Sequence, residues 1–95
     1  MDEAPEMVER ELEIVNELGL HARAAAKLVH VASGFRSKVI VVAGGEEVDA
    51  KSILGLLLLA APLGSRIIVR CEGPDEAVAL ATIAELVSDG FGEGS

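Results

Sequence analysis

The pair Gly44-Gly45, set between the β-branched run Lys38 to Ala43 and the short segment Glu46 to Asp49, constrains this chain more than any other feature. A two-residue loop of glycines accepts the positive φ angles of a tight hairpin turn, whose twist matches that of the flanking strands. The two runs are therefore expected to lie side by side and antiparallel. A lone hairpin is at best marginal in water, so other segments must extend the sheet and cover it.

Candidates for both tasks are visible. From Val8 to Val15, Leu12 and Ile14 alternate with Glu11 and Glu13, the period of a half-buried strand. Asn16-Glu17-Leu18-Gly19 follows as a loop. Ala22 to about Ala32 reads as a helix, rich in alanine, with Leu28 and Val29 as its buried bulk and Gly34 as its stop. Ser52 is suited to cap a short helix through Leu59, which Pro62-Leu63-Gly64 ends. Arg66 to Cys71 alternates again, with Ile67, Val69 and Cys71 on one side and Ile68 and Arg70 on the other. Gly73-Pro74-Asp75-Glu76 reads as a helix entrance, with Pro at the first position and acids in the first turn. Val78, Ala81 and Leu86 then repeat at helical spacing up to Gly90.

The order is βαββαβα, which at 95 residues implies one α+β domain. Its expected architecture is a two-layer sandwich with the helices over one face of the sheet. Residues 1 to 6 and 91 to 95 are expected to be disordered ends. The opening Met1-Asp2-Glu3-Ala4-Pro5-Glu6 has no apolar core of a secretory signal. The longest apolar run, Ile53 to Leu63, is shorter than the roughly 20 residues that a membrane span needs. A cytoplasmic protein without membrane insertion is expected.

Eight basic against sixteen acidic residues, a net charge of −8, argue against a nucleic-acid partner, and so does the lack of Trp and Tyr. The single Cys71 excludes an internal disulfide and reads as a small buried hydrophobe. His30, nine residues after His21, reads as a solvated surface residue. No cluster of His, Cys and acids suggests a metal, and no Gly-rich loop suggests a nucleotide or other cofactor. Nothing calls for more than a monomer.

The chemistry is concentrated in Asn16-Glu17-Leu18-Gly19-Leu20-His21-Ala22-Arg23. His21 falls where loop becomes helix, beside backbone N–H groups that have no intrahelical partner and that favour an anion. An imidazole is a competent nucleophile near neutral pH. A phosphoryl group carried on it would meet the amides of Ala22 and Arg23, and the planar fork of Arg23 suits phosphate oxygens. These residue types alone leave open that His21 merely caps or packs at a helix end.

The segment Asn16-x-x-Gly19-Leu20-His21-Ala22-Arg23 resembles the active-site segment of HPr, the histidine-containing phosphocarrier family of the bacterial phosphoenolpyruvate-dependent phosphotransferase system. Ala50-Lys51-Ser52-Ile53-Leu54-Gly55 resembles that family's regulatory-serine region. Gly64-Ser65-Arg66-Ile67 and Gly73-Pro74-Asp75-Glu76-Ala77 resemble its last strand and last helix entrance. The resemblance covers residues 8 to 89. It implies an open-faced sandwich with an antiparallel four-stranded sheet. It further implies that His21 is phosphorylated on Nδ1 by Enzyme I and donates to an enzyme IIA domain, with Arg23 stabilising the phosphoryl group. The chain would then be a carrier, not an enzyme. Two departures stand out: Ala24 replaces the family's usual Pro, and His30 and Ser33 stand where relatives often carry lysine.

The resemblance also makes Ser52 a candidate for phosphorylation by an HPr kinase/phosphorylase, alongside its role as a helix cap. Leu20, Ile53, Leu54 and Leu57 are the candidate docking residues, although part of the leucine run must be core. The alternative function is a regulatory HPr-like module that works through protein contacts and not sugar uptake.

Overall fold

A computed structural model describes residues 7–93. Its elements are β1 (Val8–Glu13), α1 (Ala22–Ser33), β2 (Lys38–Ala43), β3 (Glu46–Asp49), α2 (Ile53–Leu59), β4 (Arg66–Glu72) and α3 (Glu76–Ser88), followed by a 3-10 turn, Gly90–Gly92. The strands form one sheet in the order β1-β4-β2-β3, with every neighbouring pair antiparallel. The α+β open-faced sandwich expected from the sequence is the fold observed.

The hairpin is as tight as its glycines allow. Ala43 pairs with Glu46, and Gly44 and Gly45 between them have φ of 58° and 85°. In β4 the alternation sends Ile67, Val69 and Cys71 into the core. Val39 and Val41 of β2 and Leu12 of β1 join them from the same face of the sheet. Above lie Ala24, Ala25, Leu28 and Ala32 of α1, Leu56 of α2, and Ala79, Ile83, Ala84 and Val87 of α3. The many alanines bring the helices close to the sheet, so bulk comes from a few branched side chains. The other face of the sheet is charged around a half-buried centre of Ile40, Val42 and Ile68: Arg70 pairs with Glu9 at 3.2 Å and with Glu47 at 3.8 Å, and Arg66 pairs with Glu11 at 3.4 Å. Exposed pairs like these contribute little to stability.

Three expectations need correction. Helix α3 starts at Glu76, so Pro74 precedes the cap and does not occupy the first turn. Asp75, the cap residue, makes no capping bond, because its carboxylate accepts from Arg36 N–H, Ser37 N–H and the Ser37 hydroxyl instead. The buried stripe of α3 begins at Ala79, one place past Val78, which is 54% exposed.

The third correction concerns the tail. Phe91 is fully buried, and Gly90, Phe91 and Gly92 all have positive φ, turning the chain back against α1. A left-handed phenylalanine is strained by roughly 1–2 kcal/mol, which burial of an aromatic ring exceeds. Phe91 to Glu93 are thus ordered. The expectations for residues 1–6 and 94–95 lie outside the described residues.

Candidate functional site

The backbone leading to His21 is fixed by the loop before it. Gly19, with φ of 65°, passes so close to α2's exit that a Cβ there would lie 2.5 Å from the Ala61 carbonyl oxygen. Leu20 N–H donates to that same carbonyl at 2.8 Å. Asn16, fully buried, donates from Nδ2 to the Gly19 carbonyl at 2.8 Å. The loop has little freedom, and His21 follows it directly.

His21 is the N-cap of α1, with extended φ and ψ of −80° and −178°. Its Nδ1 accepts a hydrogen bond from Arg23 N–H at 3.2 Å. The first intrahelical donor is Ala25, whose N–H reaches the His21 carbonyl at 2.8 Å. The amides of Ala22, Arg23 and Ala24 therefore lie at the open end of the helix, and no acid occupies that first turn. The His21 side chain is 25% exposed, so the ring is neither sealed in the core nor free in solvent.

The second ring nitrogen, Nε2, is hydrogen-bonded to Oε2 of Glu93. The other oxygen of Glu93 accepts from Asn16 Nδ2 at 3.1 Å. The Glu93 carboxyl is held below the usual carboxylate range, chiefly by its bond to His21; burial opposes this and Asn16 adds to it. Lys27 Nζ donates to the Phe91 carbonyl at 2.6 Å and fixes the turn that carries Glu93. An open cavity of about 700 Å³ is lined by Leu18, His21, Arg23, Lys27 and Glu93 among others. Arg23 makes no ion pair among the described residues, so its guanidinium is available to an anion. A second depression, bounded by Leu18, His21, Leu57 and Pro62, adjoins the first through the ring.

The structure thus brings His21, Ala22, Arg23 and Leu57 to one surface. Ile53 and Leu54 are also exposed on α2, at 41% and 65%. Leu20 is not a surface residue: at 3% exposure its side chain belongs to the core, where the bond from its N–H to the Ala61 carbonyl holds the loop against the exit of α2. Ser52 is half-buried, and its Oγ caps α2 by accepting from Gly55 N–H at 3.2 Å. His30 is exposed on the last turn of α1.

The sequence reading missed four contributors. Leu18 and Leu58, 71% and 77% exposed, extend the apolar surface. Lys27 and Glu93 reach the site from a different turn and from the far end of the described chain. An aromatic residue within a glycine-rich tail, Gly90-Phe91-Gly92, was the one local signal that this end is anchored. No group of His, Cys and acids able to hold a metal occurs among the described residues. None of their helices is long and apolar enough to cross a membrane.

Comparison with known proteins bears on this geometry. The family model described as "PTS HPr component phosphorylation site" matches residues 8–89. The phosphocarrier protein HPr of Cupriavidus necator is 47% identical over 88 residues, covering 93% of this chain and 99% of that protein. The phosphocarrier protein HPr of Xylella fastidiosa is 49% identical over 87 residues, covering 92% and 98%. Among solved structures, HPr from Thermoanaerobacter tengcongensis superposes with a TM-score of 0.87 at 40% identity, covering 90% of this chain and 97% of that one.

Proposed function

The chain belongs to the HPr family of phosphocarriers of the phosphotransferase system, and from that premise we propose that His21 takes a phosphoryl group from phosphorylated Enzyme I on Nδ1 and passes it to an enzyme IIA component. It is a carrier and not a catalyst. The observation that supports this reading is that His21 Nδ1 lies at the N-terminal end of α1, bonded to the Arg23 amide, beside an Arg23 guanidinium that makes no ion pair among the described residues.

In this reading Nδ1 attacks phosphorus in line, and the Arg23 amide it had engaged turns to a phosphoryl oxygen. The amide of Ala22 and the Arg23 guanidinium supply further donors. Contacts at a helix N-terminus stabilise an anion by about 0.3–1 kcal/mol, up to ~2 when partly buried. That positions the phosphoryl group without trapping it, as a relay requires. Ala24 in place of proline leaves one more amide at this end, so transfer is altered modestly and not abolished.

Leu54, Leu57 and Ile53, with Leu18 beside the ring, form the surface on which partners close over the phosphoryl group and exclude water. Ser52 borders that surface. Its phosphorylation by an HPr kinase/phosphorylase would add about −1.5 to −2 charge there and weaken docking while leaving the fold intact. In this reading the protein acts in the cytoplasm and as a monomer.

The test is incubation with phosphoenolpyruvate and Enzyme I, followed by mass analysis. One acid-labile phosphate is expected, absent in His21→Ala and retained in Ser52→Ala. Label that survives in His21→Ala overturns the assignment. With ATP and the kinase, a phosphate that persists in Ser52→Ala places the regulatory site elsewhere.

A further inference from the structure

The reactive nitrogen of His21 is only half of the ring, and the other half is held by a carboxylate. An ionised carboxylate accepts hydrogen bonds and cannot donate them, so the bond between Glu93 and Nε2 requires the proton to reside on Nε2. Which nitrogen of a neutral imidazole carries the hydrogen is set by the partner of the other one. Glu93 is itself fixed on three counts. Asn16 Nδ2 donates to its free oxygen, Lys27 holds the Phe91 carbonyl, and the buried Phe91 ring pins the turn. Asn16 has one orientation only, since its Nδ2 faces two acceptors, the Gly19 carbonyl and Glu93.

We propose that Glu93 is a positioning residue for phosphoryl transfer: it keeps the proton on Nε2, presents Nδ1 as the lone-pair nitrogen, and offsets the positive charge the ring gains as the Nδ1–P bond forms. The proposal rests on His21 as the phosphoryl acceptor. The Nδ1 lone pair forms the new bond to phosphorus while the donor's bond to phosphorus breaks and its electron pair leaves with the donor. No proton moves. The ring then carries one positive charge, with Nε2–H still bonded to the negative Glu93. Donation reverses this, and the N–P pair returns to Nδ1. Arg23 and Lys27 line the same cavity and raise the local positive potential, and Glu17 is the other acid there. Glu93 is the carboxylate bonded to the ring itself.

Glu93→Gln separates this from a merely structural role, because glutamine keeps the length and a carbonyl acceptor but lacks the charge. Loading of His21 is measured with phosphoramidate, a small P–N donor that releases ammonia and needs no Enzyme I, and in parallel with Enzyme I and phosphoenolpyruvate. Both rates are expected to fall about tenfold or more in Glu93→Gln, the loss of one charge-assisted hydrogen bond. The ¹⁵N spectrum of the unphosphorylated, neutral ring should show a single Nε2–H tautomer in the wild type and a mixture in Glu93→Ala. Unchanged loading rates in Glu93→Gln, or a proton on Nδ1 in the wild type, overturn the proposal. If the wild type loads from phosphoramidate and not from Enzyme I, the relay reading fails, while the Glu93→Gln comparison still decides this one.

Discussion

The Lys27 ammonium donates to the Phe91 carbonyl at 2.6 Å, joining the second turn of α1 to a residue 64 positions later in sequence. This bond and the buried ring beneath it hold the Glu93 end of the site. Phe91→Ala empties a fully buried aromatic position. A loss of about 3–5 kcal/mol is expected, measured as a lower midpoint in urea. Glu93 should also be released from His21, which the ring ¹⁵N shifts of the variant would report.

Gly19→Ala tests the loop on the opposite side of His21. The new Cβ would sit 2.5 Å from the Ala61 carbonyl oxygen and 2.9 Å from Pro62 Cα, on a residue with φ of 65°. The strained backbone alone costs about 1–3 kcal/mol. Relief of the clash must move the Leu20 and His21 backbone away from α2. Thermal unfolding should shift down and phosphoryl uptake should slow together; an unchanged midpoint would mean that the loop has room it does not show.

Asp75 makes acid sensitivity predictable. Its carboxyl is held below the usual carboxylate value, first by the Ser37 hydroxyl at 2.5 Å and then by the Arg36 amide, with the Ser37 amide adding to them. A group whose folded value is lowered contributes stability that is fully present above its ordinary range and is lost as pH falls through the folded value. The gap in urea midpoint between the wild type and Asp75→Asn should therefore be constant near neutrality and shrink in acid below the ordinary carboxylate range. Glu93 is shifted the same way and adds to the same acid limb.

Leu54 and Leu58 are 65% and 77% exposed and so contribute little to the core. Leu54→Ser and Leu58→Ser should alter stability by no more than about 0.5 kcal/mol. If they serve docking, the KM of Enzyme I for the variant rises several-fold while the maximal rate holds, as expected when ground-state binding alone is lost. Equal KM values would remove them from the interface.

What local pattern dictates was readable in the chain. The hairpin at Gly44-Gly45, the Ser52 cap and the inward set Ile67, Val69 and Cys71 each follow from residues within a few positions of one another. His21 was legible as a helix-start imidazole, and Arg23 as its cation. The burial of Leu20 was less so, because a loop has no period from which to read an inward side. The role of Asp75 was hidden because its partners, Arg36 and Ser37, lie 39 and 38 residues away. Glu93 was illegible for the same reason, being 72 residues from His21. An acid in a short glycine-rich tail resembles any other solvated acid until the tail is seen to fold back.

The place of β4 between β1 and β2 carries a consequence for biosynthesis. Strand β1 leaves the ribosome first but has no hydrogen-bonding neighbour until Arg66–Glu72 follows. A nascent chain that has emerged only as far as α2 owns a β2–β3 hairpin, too small to persist alone. Folding must await β4, and contacts this distant in sequence close slowly. His21 is thus translated early yet gains its surroundings late, once β4 has joined the sheet and the turn that carries Glu93 has folded back.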